Sequence, residues 1–517
     1  MANQAPQTTA DEPEDARPRL GEAVRSLPRY AALWPLVLGL AFSRSGLIVA
    51  TYGSYASTDQ GVFTDGAMLA TLVVLAALFL ALLLSKRTIG KRAVNLAART
   101  CVALQAVCLI GLALAGATKQ SVEIQFALSS LHTLASSGAI FYWLRRARGT
   151  STTAAVVFVF SALIVSEVEI YLCLLLPPVA ADLTALALVC VQYPCMLWAR
   201  ERVQPYKLAS PTLAHDYFSF AKTAMQSKQF LMATAIGIGC LSVVIGLLRG
   251  YPSGEAIAFA PGTRAAYGAL TIALCATIIV LVLMRKQHVM TVGTFAVMEL
   301  LACLALVIYA AFPDMLDIGA VFTTTLNALM VAFTWYIIIA FMSYGWRDPY
   351  YYAIAGWLVW LGCRAVSRVA IMELYPASGN DMLMNAVMGG FLVLSTQVVF
   401  VQFLAIALDG ANEQKRRSER RQGVVSALMA LDQNESMSEL RQASMQHNAE
   451  EMGRQFLLSE REVEVLALYA LGHTQKRVAE ELFITQGTAH AHIKRIYAKT
   501  GLHSRQEIID YLKQYAS

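Results

Sequence analysis

Leu458-Ser-Glu-Arg-Glu-Val-Glu-Val-Leu466 is followed by Gly472-His-Thr-Gln-Lys476 and then by Thr488-Ala-His-Ala-His-Ile-Lys-Arg-Ile-Tyr-Ala-Lys-Thr-Gly501. Ser459 with Glu462 three residues on is a capping-box start for a helix. Val463, Leu466, Leu468 and Ala470 supply its apolar positions, and Gly472 suits the left-handed residue that ends it. Thr474 caps a short second helix running to Leu482, with Val478, Ala479 and Leu482 inward. Thr485 caps a third helix from about Gln486 to Thr500, with Ala489, Ile493, Ile496 and Tyr497 as its buried stripe. Gly501 stops that helix, and Ser504 caps a fourth carrying Ile508, Ile509 and Tyr511. Two capped helices joined by a tight turn, the second with Lys494, Arg495 and Lys499, read as a helix-turn-helix.

Outward from this module the chain changes character. Of 517 residues, 57% are hydrophobic and only 15% charged, and mean hydropathy is +0.52. Soluble chains carry about 25% charge, so apolar runs of spanning length place the remainder in a polytopic membrane class. Twelve spans are expected. The first six are roughly 31–53, 66–85, 97–117, 122–144, 152–176 and 179–199. The second six are roughly 229–249, 264–284, 290–312, 317–343, 351–374 and 383–408. The fold class is therefore all-α: a membrane helix bundle divided six plus six, with a small C-terminal four-helix domain. The expected divisions are a disordered cytoplasmic tail (1–29), a transmembrane domain (30–408), a cytoplasmic linker (409–456) and the helix-turn-helix domain (457–517). Nine cysteines lie in or beside apolar spans without CxxC spacing, so they read as small packing residues and no metal site is expected.

Lys and Arg alternate between connectors. Lys86, Arg87, Lys91 and Arg92, then Arg145, Arg146 and Arg148, then Arg285 and Lys286, fall on one side, while the opposite connectors hold only Lys119, Arg249 and Arg264. By the positive-inside rule both termini are cytoplasmic, in an inner membrane, which puts the helix-turn-helix where DNA is. The longest internal connector, about 200–228, separates the two sets of six. The linker opens with Lys415-Arg-Arg-Ser-Glu-Arg-Arg421, which reads as a membrane-flanking anchor beside anionic lipid.

The C-terminal residues resemble the bacterial LuxR-type (GerE-like) helix-turn-helix. The match lies in Leu458 to Leu466, in Gly472, Thr474 and Lys476, in Thr488 to His492, and in Ile496 to Gly501. His490 stands where that family usually has Lys, and Arg477 where it usually has an acid. The resemblance implies a third helix in the major groove of promoter DNA. His490, Ala491 and Lys494 would then face bases, while Thr488, His492, Arg495, Lys499 and Lys476 reach phosphates. It also implies a homodimer on DNA, with the fourth helix as the dimer face. Lys and Arg number eight from 458 to 517 against seven Asp and Glu, so the basic character is local to the third helix. The six-plus-six layout resembles the major facilitator superfamily, and Ser85-Lys-Arg-Thr-Ile-Gly-Lys-Arg92 faintly echoes a loop of that family.

Ionisable residues within spans need partners or water. Arg44, Glu167, Glu169, Glu299, Arg364 and Arg368 are such residues. Two readings stand: a cavity in which Arg44, Glu167, Glu299, Arg364 and Arg368 meet a small effector, or internal ion pairs that fix helix packing. Glu167 and Glu169 are expected on different helix faces. Tyr171, Trp335, Tyr336, Trp357 and Trp360 are aromatic neighbours of these charges by sequence or by expected depth, and Trp and Tyr near span ends read as interface anchors. No soluble input domain, nucleotide loop or catalytic constellation is present, so no enzyme activity and no cofactor are expected. The expectation is a one-component regulator whose membrane bundle senses a small molecule and controls DNA binding. The alternative is a secondary transporter with a fused regulatory domain.

Overall fold

The computed structural model describes residues 20–52, 58–85, 89–148, 150–201, 228–251, 257, 259–284, 289–344, 347–398, 437–456, 458–502 and 504–513. Expectations for the N-terminal tail before residue 20, for most of the 200–228 connector and for the Lys415–Arg421 run lie outside these residues. Among the described residues there is no strand. Apolar sequence in a membrane leaves backbone groups no water to bond, and the helix satisfies them within one segment.

A short helix α1 (Leu20–Ser26) and a 3-10 turn (Leu27–Leu33) lead into α2 (Trp34–Tyr52). The rest of the first set is α3 (Thr58–Leu84), α4 (Lys91–Ala117), α5 (Val122–Arg146), α6 (Thr152–Leu174) and α7 (Pro178–Glu201). The second set is α8 (Lys228–Leu248), α9 (Pro261–Leu283), α10 (Thr294–Ala311), α11 (Leu316–Tyr344), and then α12 (Pro349–Trp357) joined through a π turn to α13 (Cys363–Ser378). Helix α14 covers 381–398.

Each expected span is thus met by a helix. Nine of the described helices are long and apolar enough to cross a membrane, α12–α13 counting as one. Helix α5 falls short of that apolarity because its buried face is polar, carrying Ser129, His132, Thr133, Ser136 and Ser137. Helix α8 contributes a shorter apolar stretch, Ala235–Leu248.

Helix α2 packs on α5, α6 and α7, and α4 on α5. The two sets meet where α6 lies against α9 and α3 against α12 and α13. One apolar core runs through both sets. Trp335, Trp357 and Trp360 belong to that core, not to an interface belt. Phe141 of α5 meets Trp357 edge to face, with ring centroids 5.4 Å apart.

The C-terminal module has its own core. It contains α16 (Glu460–Ala470), α17 (Gln475–Glu481), α18 (Gln486–Thr500) and α19 (Arg505–Lys513), preceded by α15 (Met437–Gln455). Helix α15 packs on α16 and α19, and it brings Ala449 and Met452, with Phe456 just beyond it, into the module core. A Cβ on Gly453 would stand 2.3 Å from Val463 Cγ2, so the close approach of α15 to α16 requires a glycine there.

Candidate DNA-binding face and buried ion pairs

Each helix start in the module is fixed by a side-chain cap. Ser459 Oγ accepts the Glu462 N–H (3.3 Å), and Glu462 Oε2 accepts the Ser459 N–H (2.8 Å), completing the expected capping box. Thr474 and Thr485 accept the N–H groups of Arg477 and Thr488 at 3.3 and 3.2 Å. Ser504 accepts that of Glu507 at 3.1 Å. Gly472 (φ +111°) and Gly501 (φ +73°) take the left-handed conformations that end α16 and α18. The buried set of α16 is Val465, Leu466, Ala467 and Ala470, whereas Val463 and Leu468 are half-buried.

Helix α18 buries Ala489, Ile493 and Ile496. The same rotation turns Thr488, His490, Lys494 and Arg495 outward, with Ala491 and His492 half-buried at the margin. Lys476 on α17 is also exposed, 4.0 Å from Glu480. His490 Nδ1 lies 3.3 Å from Gln475 Oε1, a contact that joins α17 to α18 across the exposed face.

Lys499 differs from the rest. Its Nζ donates to the buried Glu462 Oε2 at 2.6 Å, so this expected phosphate contact is also a strut inside the module. Burial of the Glu462 carboxyl works to raise its pKa. The Lys499 hydrogen bond, the Ser459 N–H and the Lys499 charge outweigh it and hold the group below the usual carboxylate range.

Arg505 was not singled out by sequence. Its Nε donates to Tyr469 O (2.8 Å) and its Nη2 to His473 O (3.2 Å), with the guanidinium 4.7 Å from the Tyr469 ring centroid. It satisfies carbonyls at the C-terminal end of α16. No motif marks such a role, because the carbonyls it reaches lie over thirty residues away.

In the bundle, Arg44 Nη2 meets Glu167 Oε1 at 2.6 Å and its Nη1 donates to Ser166 Oγ at 2.7 Å. Ser45 Oγ donates to Glu169 Oε2 at 2.6 Å. Glu167 and Glu169 therefore both reach α2, although the sequence placed them on different faces; long carboxylate side chains straddle the contact line of α6 on α2. Arg364 and Arg368 share Asp65, each with an N···O distance of 3.5 Å, and Arg364 also donates to Asn327 Oδ1 at 3.0 Å. Asp65 was missed because the second span was expected to begin at residue 66, whereas α3 begins at Thr58. Glu299 on α10 is buried but is not brought to any of these arginines among the ion pairs of the described residues. The five expected cavity residues thus fall into separate sites.

Residues 457–512 match the family described as bacterial regulatory proteins, luxR family. Curated relatives include the Fimbriae Z protein of Escherichia coli (strain K12), 44% identical over 59 residues, which are 11% of this chain and 28% of that protein. Another is the oxygen regulatory protein NreC of Staphylococcus aureus (strain JH9), 44% identical over 55 residues, 11% of this chain and 25% of that protein. The chain spans about a quarter of the length of these relatives.

Among solved structures, a bacterial homologue of the iron transporter ferroportin in an outward-facing state is similar with TM-score 0.49 at 11% identity. That similarity covers 72% of this chain and 99% of the other. The major facilitator superfamily transporter FucP is similar with TM-score 0.43 at 12% identity, over 72% and 98% of the two chains. The capped helices, the outward face of α18 and the sequence match converge on one statement: this chain carries a LuxR-type DNA-binding regulator domain at residues 457–512, behind a bundle of helices apolar and long enough to cross a membrane.

Proposed function

We propose that the protein is a membrane-embedded one-component transcription regulator. Its bundle senses a small molecule, and the sensed state sets how the cytoplasmic module occupies promoter DNA. The observation that carries this reading is the division of α18 into a buried apolar face and an outward face bearing Thr488, His490, Lys494 and Arg495, with Lys476 beside it. In a major groove, His490, Ala491 and Lys494 read base edges, while Lys476, Thr488, His492 and Arg495 set register on phosphates. Lys499 adds a phosphate contact from the end of the helix while bracing Glu462. The near balance of charge in the module favours binding as a dimer, since one copy offers few cations for counterion release.

The charge layout of the connectors supports cytoplasmic termini in an inner membrane. A sensed molecule acts by differential affinity for two packings of the bundle. Arg364 and Arg368 on α13 share one loosely held carboxylate from α3, so a change in packing between the two sets of helices would be felt there first. Glu167 and Arg44 form the tighter, fixed pair.

The test is promoter occupancy by the full-length protein in nanodiscs, with and without a ligand library. At least one ligand is expected to change occupancy, while a soluble 437–517 fragment ignores it. A library without effect on either protein would sink the sensing role. Substrate accumulation in vesicles that is abolished by Arg364→Ala would favour a transporter instead.

A further inference from the structure

A cavity in the bundle is apolar, and its lining holds none of the ion-paired residues described above. It has a volume of about 450 Å³ and sits between the Leu27–Leu33 turn, α2, α6 and α9. Val37, Val157, Ile164, Ile279 and Val280 line its depth, with Ser161 as a small polar spot. Leu27 and Trp34 stand at its rim and are 36% and 46% exposed.

Its position along the helices is informative. Val37 belongs to the first turn of α2, Val157 to the first half of α6 with Ile164 at its middle, and Ile279 and Val280 to the last turns of α9. Those helix ends adjoin basic sequence: Arg145, Arg146 and Arg148 before α6, and Arg285 and Lys286 after α9. The described stretch 20–33 before α2 adds Arg25 and Arg29 against Glu22. The cavity therefore extends from the end of the bundle where the connector sequence is cationic.

Helix α1 leaves Leu20 and Val24 exposed next to exposed Arg25, two residues before the rim residue Leu27. Apolar residues beside a cation just outside a span lie in the headgroup region. Cationic segments there attract anionic headgroups.

We propose that this cavity is a binding site for one acyl chain of an anionic phospholipid, with the headgroup held at Arg25. The acyl chain fills the wedge between α6 and α9, one of the helix pairs through which the two halves of the bundle touch. The lipid is thus a structural ligand of the junction between halves. This assignment does not depend on the sensing role proposed above: lipid can bind whether or not the bundle controls DNA.

The test uses purified full-length protein in detergent, titrated with phosphatidylglycerol carrying a 9,10-dibromostearoyl chain, which quenches nearby tryptophan. The Trp34 contribution is the difference between the wild-type protein and Trp34→Phe. Saturable quenching of Trp34 is expected. Ala276→Phe places a ring in the cavity from an exposed position on α9 and is expected to weaken the apparent affinity by about tenfold or more. Ser161→Leu, which fills from α6, weakens it in the same direction. Val73→Phe, on an exposed face of α3 away from the cavity, leaves it unchanged.

Phosphatidylcholine with the same chain binds more weakly, and Arg25→Gln narrows the difference between the two lipids by about fivefold, the effect of one cation near an anionic surface. Quenching that rises linearly without saturation and ignores Ala276→Phe and Ser161→Leu would show ordinary annular lipid and overturn the site. Equal affinity for the two headgroups would overturn the anionic assignment.

Discussion

Glu462 shows how much one side chain can hold. It closes the capping box of α16, receives Lys499 from the end of α18 and is nearly buried while doing so. Glu462→Ala removes the N–H partner of Ser459 and leaves Lys499 without its acceptor. A loss of about 1–2 kcal/mol is expected in denaturant unfolding of a 437–517 fragment, the range of lost caps and charge-assisted bonds. The pH dependence follows from the same group. Its folded pKa is held below the ordinary value of 4.5, so its contribution is fully present above that value. The contribution is lost as pH falls through the lowered folded pKa. Glu462→Gln should flatten that acid limb, and a limb unchanged by the substitution would contradict the assignment.

On the DNA face, Lys494→Ala is expected to cost about 1–3 kcal/mol and relax sequence preference, whereas Lys476→Ala should weaken all sequences alike and lower the salt slope by about one. Fluorescence anisotropy against promoter and scrambled duplexes over a salt series separates the two. Ser459, Glu462, Thr485 and Gly501 were all legible in sequence, because capping is local chemistry at fixed spacing. The Lys499–Glu462 strut and the Arg505 bonds to Tyr469 and His473 were not, because they join residues over thirty apart.

At the scale of elements, α15 alters the meaning of the segment before the helix-turn-helix. Read from sequence, 409–456 is a linker between the bundle and the module. The structure folds its 437–455 stretch onto α16 and α19, where Phe456 meets Tyr511 edge to face at 5.5 Å. Ile508, Tyr511 and Leu512 of α19 are thereby buried within the chain itself, and the exposed side of that helix carries Gln506, Glu507 and Asp510. A dimer through α19 would use this polar side. Gly453→Leu should force α15 away from Val463 and cost about 1–3 kcal/mol, as overpacking does. The readout is thermal unfolding of the 437–517 fragment. A melting temperature equal to wild type would mean that α15 is not part of the folded unit. The π turn at Leu358–Gly362 between α12 and α13 is a second element without a sequence signature; nothing in Leu358-Val-Trp-Leu-Gly362 requires it.

For the whole molecule, the buried ion pairs govern how the bundle holds together. Glu167→Gln leaves Arg44 without its 2.6 Å counter-charge, and breaking such a pair costs about 3–5 kcal/mol. Asp65→Asn withdraws the charge shared by Arg364 and Arg368 at the junction of α3 with α13. Its longer distances predict a smaller loss than Glu167→Gln, measured as the melting temperature of purified full-length protein; the reverse order would contradict the ranking of the two sites. The helical class, the positions of the apolar helices and the capped helix-turn-helix all follow from local sequence. Hydropathy and capping are set by residues within a turn or two of each other, or by the solvent that a whole segment prefers. Which charge meets which, the inward facing of Trp335 and Trp357, and the joining of α15 to the module come from packing between helices. Those outcomes depend on which helix faces come together, and helix rotation is fixed by packing across the bundle, not by the sequence within any one helix.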